Sequence, residues 1–441
     1  MKGPFTDAES VKGPFTALRP GTPGRHNGGG FGLGGSGGRF LSDPAGKNRG
    51  VTISLAQRRA RLGARHFLAA PAATVEEAAG GVVALHATDP ASVYLSAWAR
   101  VRGLSVADVE RALYEDRTLL RLLGMRRTMF VTSVDTGACV QAGCATDIAA
   151  RQRRLLEQHL GTQGHPENVA DPPRWLAEVE DSVEKALRAR GIATAQQLVE
   201  DEPRLRQQLH MAKGKPYASI GNVTSRVLFQ LAVDGRIVRG RPRGTWLSTQ
   251  YHWSPSADWL PEGWPDVPPD DARVELARRW LHAFGPAPVA DLRWWTGWTA
   301  AQTKRALSAV SPAEVDLDGT PAVALADDLA PVAEPDPWVA LLPALDPTAM
   351  GWSVRDWYLG PHRPVLFDRS GNIGPTIWSD GRVVGAWAQR PSGEIVTRLL
   401  EDVGTEKTTT VATEAARLAD WLGEARVVPK FRTPLEKELA G

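Results

Sequence analysis

Three polar side chains, His86, Thr88 and Asp89, follow the apolar run Val82-Val83-Ala84-Leu85 and stand directly before a helix signal. An imidazole that titrates near neutrality, a hydroxyl and a carboxylate within four residues form a set able to move protons. Their place at a helix mouth, where free N–H groups favour negative charge, suits a reaction centre. The same residues also make a good cap. Asp89 offers an acceptor to free backbone N–H groups, and Pro90 sits at the first helical position, where no N–H is needed. Composition leaves both readings open.

The elements around the motif follow from spacing. The apolar run reads as a buried strand. Tyr94, Leu95, Trp98 and Val101 recur every three or four residues, giving the helix one apolar face, and Gly103 ends it. Upstream, Leu55 to Phe67 predicts an arginine-rich helix with Arg58, Arg59, Arg61 and Arg65 on its polar side. Downstream, Ser105 caps a helix reaching Asp116, MRRTMFVT alternates like a strand, and Asp135 to His159 is mostly helical.

Residues 174–248 predict helix, short strand, helix, helix and hairpin, the order of a winged helix whose third helix is offered to a major groove. The hairpin, turning at Gly240 to Gly244, carries Arg236, Arg239, Arg241 and Arg243, a local charge excess suited to phosphates. Arginine on a hairpin also guards against edge-to-edge pairing. A similar order recurs beyond a Pro/Trp linker, with a hairpin turning at Asp318-Gly319. From Trp338 the pattern is mainly β with one amphipathic helix, which predicts a small barrel or curled sheet. Thirteen of the sixteen tryptophans lie beyond residue 250, and most are expected in the core.

The expected architecture is therefore α+β, tandem winged-helix modules followed by a small barrel-like β-domain. Its divisions are a Gly-rich tail at 1–50 that repeats KGPFT and is expected to be disordered, modules at 51–165, 174–250 and 270–330, and a β-domain at 336–441. The net charge of +2 makes any nucleic-acid contact a matter of local clustering. Cys139 and Cys144 lack the second pair a structural zinc site needs, and no metal or cofactor is expected. No apolar run approaches the roughly 20 residues that span a bilayer, and no secretory signal pattern is present, so a soluble cytoplasmic protein is expected.

The helix YLSAWARV behind the polar motif, the segment LLPALDP with RDWYLG after it, and DGRVVGAWAQR together resemble the AlkZ-like (YcaQ) group of winged-helix DNA glycosylases over residues 53–430. The resemblance implies three winged-helix modules and a β-domain forming a concave DNA-binding surface, acting on alkylated bases and some interstrand crosslinks. The family carries Gln-Φ-Gln or Gln-Φ-Asp before its Tyr-Leu-x-x-Trp helix, whereas this chain has His86-Ala87-Thr88. A base cationic at N7 is already a good leaving group, so a positioned water and stabilisation of an oxocarbenium-like sugar suffice. On that reading His86 is a general base, Thr88 positions the water and Asp89 stabilises positive charge at the sugar. The basic set for DNA is Arg58, Arg65, Arg236, Arg239, Arg241 and Arg243. Further candidates are Asp346, read as a turn, the surface pair Arg355-Asp356, His362 and the loop DRSGN at 368–372.

The leading expectation is a monomeric, monofunctional glycosylase acting on damaged double-stranded DNA. The alternative is a DNA-binding regulator or damage-recognition protein without the chemistry. A third is a cleft that binds a small genotoxic molecule.

Overall fold

The computed structural model describes residues 51–215 and 218–441; the expected disorder of residues 1–50 lies outside them. The chain opens with β1 (Val51–Thr52) and α1 (Leu55–Arg65), whose first turn is capped by Ser54. Then come α2 (Val75–Gly81), β2 (Leu85–His86), α3 (Pro90–Trp98) and α4 (Val106–Glu110), followed by the hairpin β3 (Leu119–Gly124) and β4 (Thr128–Ser133). The sheet runs β2-β4-β3, so the strand bearing His86 is an edge laid against β4. Helices α5 (Val134–Val140) and α6 (Thr146–Thr162) lead out of this unit.

The next unit contains β5 (Gly164–His165), α7 (Pro172–Arg190), β6 (Ala193–Thr194), α8 (Ala195–Asp201), β7 (Gln208–Met211), β8 (Ser219–Asn222), α9 (Thr224–Val233), β9 (Ile237–Pro242) and β10 (Tyr251–Pro255). Caps explain its helix starts: Asp171 with Pro172 begins α7, and a Thr194–Gln197 capping box begins α8. The expected hairpin is present but turns later. Pairing continues to Pro242, and Arg243 N–H donates to the Gln250 carbonyl to close a long loop. The strand persists because Ile237 and Val238 on β9 and Trp253 on β10 are buried, and burial outweighs the local turn signal of Gly240 and Gly244. The hairpin β7–β8, joined by β5, answers to no sequence expectation.

Past α10 (Ser256–Trp259), the third unit has α11 (Pro269–Phe284), α12 (Val289–Thr296), α13 (Ala300–Val310), β11 (Ala313–Leu317) and β12 (Thr320–Ala324). The Asp318-Gly319 turn lies where expected. Its sheet is completed by β1, which pairs parallel with β11, so the chain's first described residues belong to a sheet built some 260 residues later.

The last unit comprises β13 (Val339–Leu342), α14 (Pro347–Met350), α15 (Asp356–Leu359), α16 (Arg363–Leu366), β14 (Thr376–Ser379), β15 (Arg382–Gln389), β16 (Ile395–Leu399), α17 (Gly404–Leu422) and α18 (Pro434–Ala440). The strands form an antiparallel meander in sequence order with β13 and β16 at its edges, an open four-stranded sheet where a barrel-like domain was expected. The segment Arg426 to Val428 is not a strand; Gln389 holds it through Val427 N–H (2.7 Å) and the Ala425 carbonyl (3.0 Å).

One continuous apolar core runs through the first, third and last units and takes in Val233 of α9, whereas the rest of the second unit has its own core from Leu156 to Trp253. Two expectations change with this packing. Helix α3 is buried on every side, not along one face, because the last unit covers what would otherwise be its solvent face. The arginines of α1 are not on a solvent face either: Arg58 and Arg61 are buried, because the third and last units close over the helix.

Candidate nucleic-acid site at the mouth of helix α3

Backbone pins hold the segment between β2 and α3. Ala87 N–H donates to the Met129 carbonyl (2.8 Å), and Arg121 Nη1 donates to the Ala87 carbonyl (3.2 Å). Three residues upstream of His86, Val83 adopts a positive φ of 65°, and its carbonyl accepts from Thr132 Oγ1 at 2.8 Å. A β-branched residue in that region is strained by about 1–3 kcal/mol, so the surrounding contacts over-determine this approach.

His86 is buried, its ring edge-on to Phe130 with centroids 5.6 Å apart. Burial, with the positive charge of Arg126 nearby, pushes its pKa down to about 3, so the imidazole is neutral at physiological pH. Nδ1 accepts the Thr88 N–H at 3.4 Å, which leaves the proton on Nε2. Thr88 is half-buried.

Asp89 is differently placed. One carboxylate oxygen accepts from Ala91 N–H (3.2 Å) as the cap of α3, and the other accepts from Lys430 N–H (2.9 Å). Burial raises its pKa against these two bonds. Both oxygens are thus occupied in joining α3 to the C-terminal segment. A cavity of about 10 Å³ lies behind it, lined by Ser92, Ala344, Trp387 and Gln389 among others, room for roughly one water.

The basic residues separate into two groups. Arg65 is spent on structure: Nη2 reaches both oxygens of Asp328 (2.6 and 2.7 Å), and Nη1 donates to the carbonyls of His282 and Gly285. Arg58 stacks on Trp357 with its guanidinium carbon 3.9 Å from the ring centre, and burial holds its pKa down to about 10. Arg236 faces three carboxylates, Glu180, Asp181 and Glu184, and Arg241 crosses to Glu110 and Glu115 of the first unit. Arg239 is half-buried over Tyr251 and Trp253, and only Arg243 is exposed. The hairpin loop itself turns inward, since Trp246 packs on Tyr94 of α3 (4.8 Å between centroids) and on Trp421 of α17 (5.7 Å).

The remaining candidates also move. Asp346 is no simple turn: it is fully buried, caps α14 through Thr348 N–H, accepts from Ser96 Oγ, and forms a two-pronged pair with Arg100 at 2.9 and 2.8 Å. Arg355 is no surface residue. It is 4% exposed, donates to the Trp352 carbonyl and lies over Phe367 and Trp294. His362 meets Glu401 (2.9 Å), and the loop at 368–372 is folded on itself by Asp368, which accepts from Ser370, Asn372 N–H and Asn372 Nδ2.

Two arginines near the site carried no sequence expectation. Arg121 supports Ala87 from behind and stacks over Tyr251 of the second unit (4.9 Å). Arg126 stands in the β3–β4 turn; the available signal was the pair Arg126-Arg127 following Gly124-Met125 between two largely apolar stretches. A separate cleft of about 430 Å³ opens between the first and second units, lined by Tyr114, Arg117, Arg241, His252 and Trp259 among others, and by none of His86, Thr88 and Asp89. Among the described residues no cluster of His, Cys, Asp and Glu could hold a metal ion, and no helix is long and apolar enough to cross a membrane.

Compared with known proteins, residues 79–421 of this α+β chain match the AlkZ-like DNA glycosylases, and the chain belongs to that family. It is similar to an interstrand DNA cross-link repair glycosylase of Streptomyces sahachiroi, 29% identical over 214 residues, which cover 46% of this chain and 56% of that protein's length. Its fold is that of the solved Streptomyces sahachiroi DNA glycosylase AlkZ, with a TM-score of 0.64, 23% identity, and coverage of 85% of this chain and 98% of that one.

Proposed function

We propose that this protein is a monofunctional DNA glycosylase that releases alkylated or bulky-adduct bases from double-stranded DNA, acting as a monomer. Family membership supports the class of reaction, and the neutral His86 held before α3 is the observation that carries the reading to this site. The order α7, β6, α8, α9, β9, β10, with the β7–β8 hairpin inserted between α8 and α9, supports a winged helix in the second unit, and α11, α12, α13, β11, β12 supports another in the third.

The chemistry asked of the protein is modest. Water oxygen bonds to the sugar C1′ while the C1′–N bond breaks, and its electron pair neutralises the positive base. With Nδ1 occupied, His86 Nε2–H orients the water by donating to it, the Thr88 hydroxyl positions it by accepting a hydrogen bond, and the proton the water loses as the new C1′–O bond forms passes to solvent. A group with a pKa near 3 is a weak base, so His86 serves by position more than by basicity. Asp89, with both oxygens bonded to backbone, acts as a positioning residue for α3. Of the arginines, Arg243 is the one on the hairpin available to phosphate, while Arg236 and Arg241 already have carboxylates.

The test is incubation with duplex DNA carrying N7-alkylguanine, with abasic sites revealed by alkali. Wild type is expected to release the base, and His86→Ala to slow release by about 10²-fold with binding kept. Equal release by His86→Ala removes the site. Binding without release across N7 and N3 lesions favours the second reading, a damage-binding protein without the chemistry; the low basicity of His86 and the full engagement of Asp89 are the observations on its side.

A further inference from the structure

The turn between β3 and β4 holds a cation that the rest of the fold does not neutralise. Arg126 and Arg127 both take left-handed backbone, with φ of 55° and 62°, an uncommon cost for two consecutive non-glycine residues. Gly297 makes room for the result: a Cβ there would lie 3.1 Å from Arg126 Cγ. The guanidinium carbon sits 3.8 Å from the ring centre of Trp294, whose ring also meets Arg355 at 5.2 Å. Arg363, exposed, flanks Arg355 over Phe367.

Among the described residues no carboxylate bonds to Arg126, and its buried Nε has no partner. Asp291, the buried acid whose charge is felt by Arg355, uses one oxygen on the N–H groups of Ser353 (2.9 Å) and Val354 (3.1 Å) and bonds to none of these arginines. Burial and the neighbouring Arg355 together pull the Arg126 pKa down to about 9, the mark of like charges gathered in a poorly hydrated place. Stacking on an indole offsets about 0.5–2 kcal/mol of such a cost, but it leaves the donors unused. Arg126 is also the charge felt by His86, so this cation borders the candidate reaction site.

We propose that Arg126, backed by Trp294 and Arg355 and rimmed by Arg363, is a seat for an oxyanion, and that its occupant is a backbone phosphate of DNA beside the His86 site. The planar fork of arginine suits two oxygens of a phosphodiester. The proposal rests on the DNA-binding reading above, and its test separates the two.

Two measurements use the full chain. Thermal unfolding is followed in sodium sulfate and in sodium chloride at equal ionic strength, and binding to undamaged duplex DNA is followed as a function of salt. Sulfate is expected to raise the wild-type melting temperature beyond chloride, because a bound anion favours the folded state. Arg126→Gln should lose that excess and lower the slope of log affinity against log salt by about 0.9, the share of one phosphate. Arg278→Gln, which removes an exposed arginine paired with Glu275, should keep both. An unchanged slope and unchanged sulfate protection in Arg126→Gln overturn the proposal. If that variant does not fold, the absence of any sulfate excess in wild type overturns it alone. Sulfate protection that depends on Arg126, in a protein that does not bind DNA, keeps the oxyanion seat and overturns both the phosphodiester as occupant and the DNA reading.

Discussion

At the scale of the residue, the decisive feature is that two histidines are folded into places where they cannot carry charge. His66 is fully buried; its Nε2 donates to the Ala283 carbonyl and its Nδ1 accepts from Thr348 Oγ1, and burial with the charge of Arg100 pushes its pKa down to about 3, as happens to His86. Each has an ordinary value of 6.5 in the unfolded chain, so between pH 6.5 and about 3 the unfolded state binds the extra proton. The stability these groups allow is complete above pH 6.5 and is lost as the pH falls. Acidification from pH 7 to 5 is expected to cost about 2 kcal/mol per histidine, at 1.36 kcal/mol per unit. Urea unfolding of wild type and His86→Asn at both pH values measures it: the gap between the two proteins should move by about 2 kcal/mol in favour of the variant at pH 5. A constant gap means His86 is protonated in the fold at ordinary cost.

At the scale of the element, the parts legible in the sequence were those whose causes are local. Asp89-Pro90 starts α3, the Ser105 cap starts α4, and Asp318-Gly319 turns a hairpin, because cap and turn chemistry is decided within four residues. What was not legible depends on distant partners. Asp346-Pro347 has the composition of a turn, yet its meaning lies in Arg100, 246 residues earlier, which it meets with both side chains wholly buried. The arginines of α1 carry the same charge as solvent-facing ones, and only the closure of the third and last units over them makes them interior. For the same reason the polar motif before α3 was legible from its own residues, while Arg121 and Arg126, which come to it from the β3–β4 hairpin, were not. The Arg100–Asp346 pair joins α3 to α14, so Asp346→Asn should leave a buried cation uncompensated and destabilise by about 3–5 kcal/mol. Replacing both, Arg100→Met with Asp346→Leu, should recover most of that loss. Denaturant midpoints of the two variants decide it; a double variant as unstable as the single one would show that the pair's other bonds, to Ser96 and Thr348, carry the stability instead.

At the scale of the whole molecule, the distribution of cores sets how the site is assembled. The first, third and last units share one apolar interior, so His86, α3 and the Arg126 turn are positioned by packing that spans the chain. The second unit keeps its own core, lends Val233 of α9 to the shared interior, and is further attached through Arg241 to Glu110 and Glu115, Gln141 Nε2 to the Val233 carbonyl (2.7 Å), Trp264 Nε1 to the Gly235 carbonyl (3.1 Å), and the Trp246 loop against Tyr94 and Trp421. The Trp246 contact is the one that touches α3 directly, and it restrains the loop after β9, where Arg243 is exposed. Removing the indole should release that loop without unfolding either core, since the ring is only half-buried and its loss removes local contacts. Trp246→Ala is therefore expected to speed tryptic cleavage after Arg243 by about tenfold, matching about 1.4 kcal/mol of lost docking, while the global unfolding midpoint shifts little. A rate equal to wild type would mean that the loop is held by the β9–β10 ladder and the Arg243–Gln250 bond alone, and that α3 does not depend on the second unit for its outer contact.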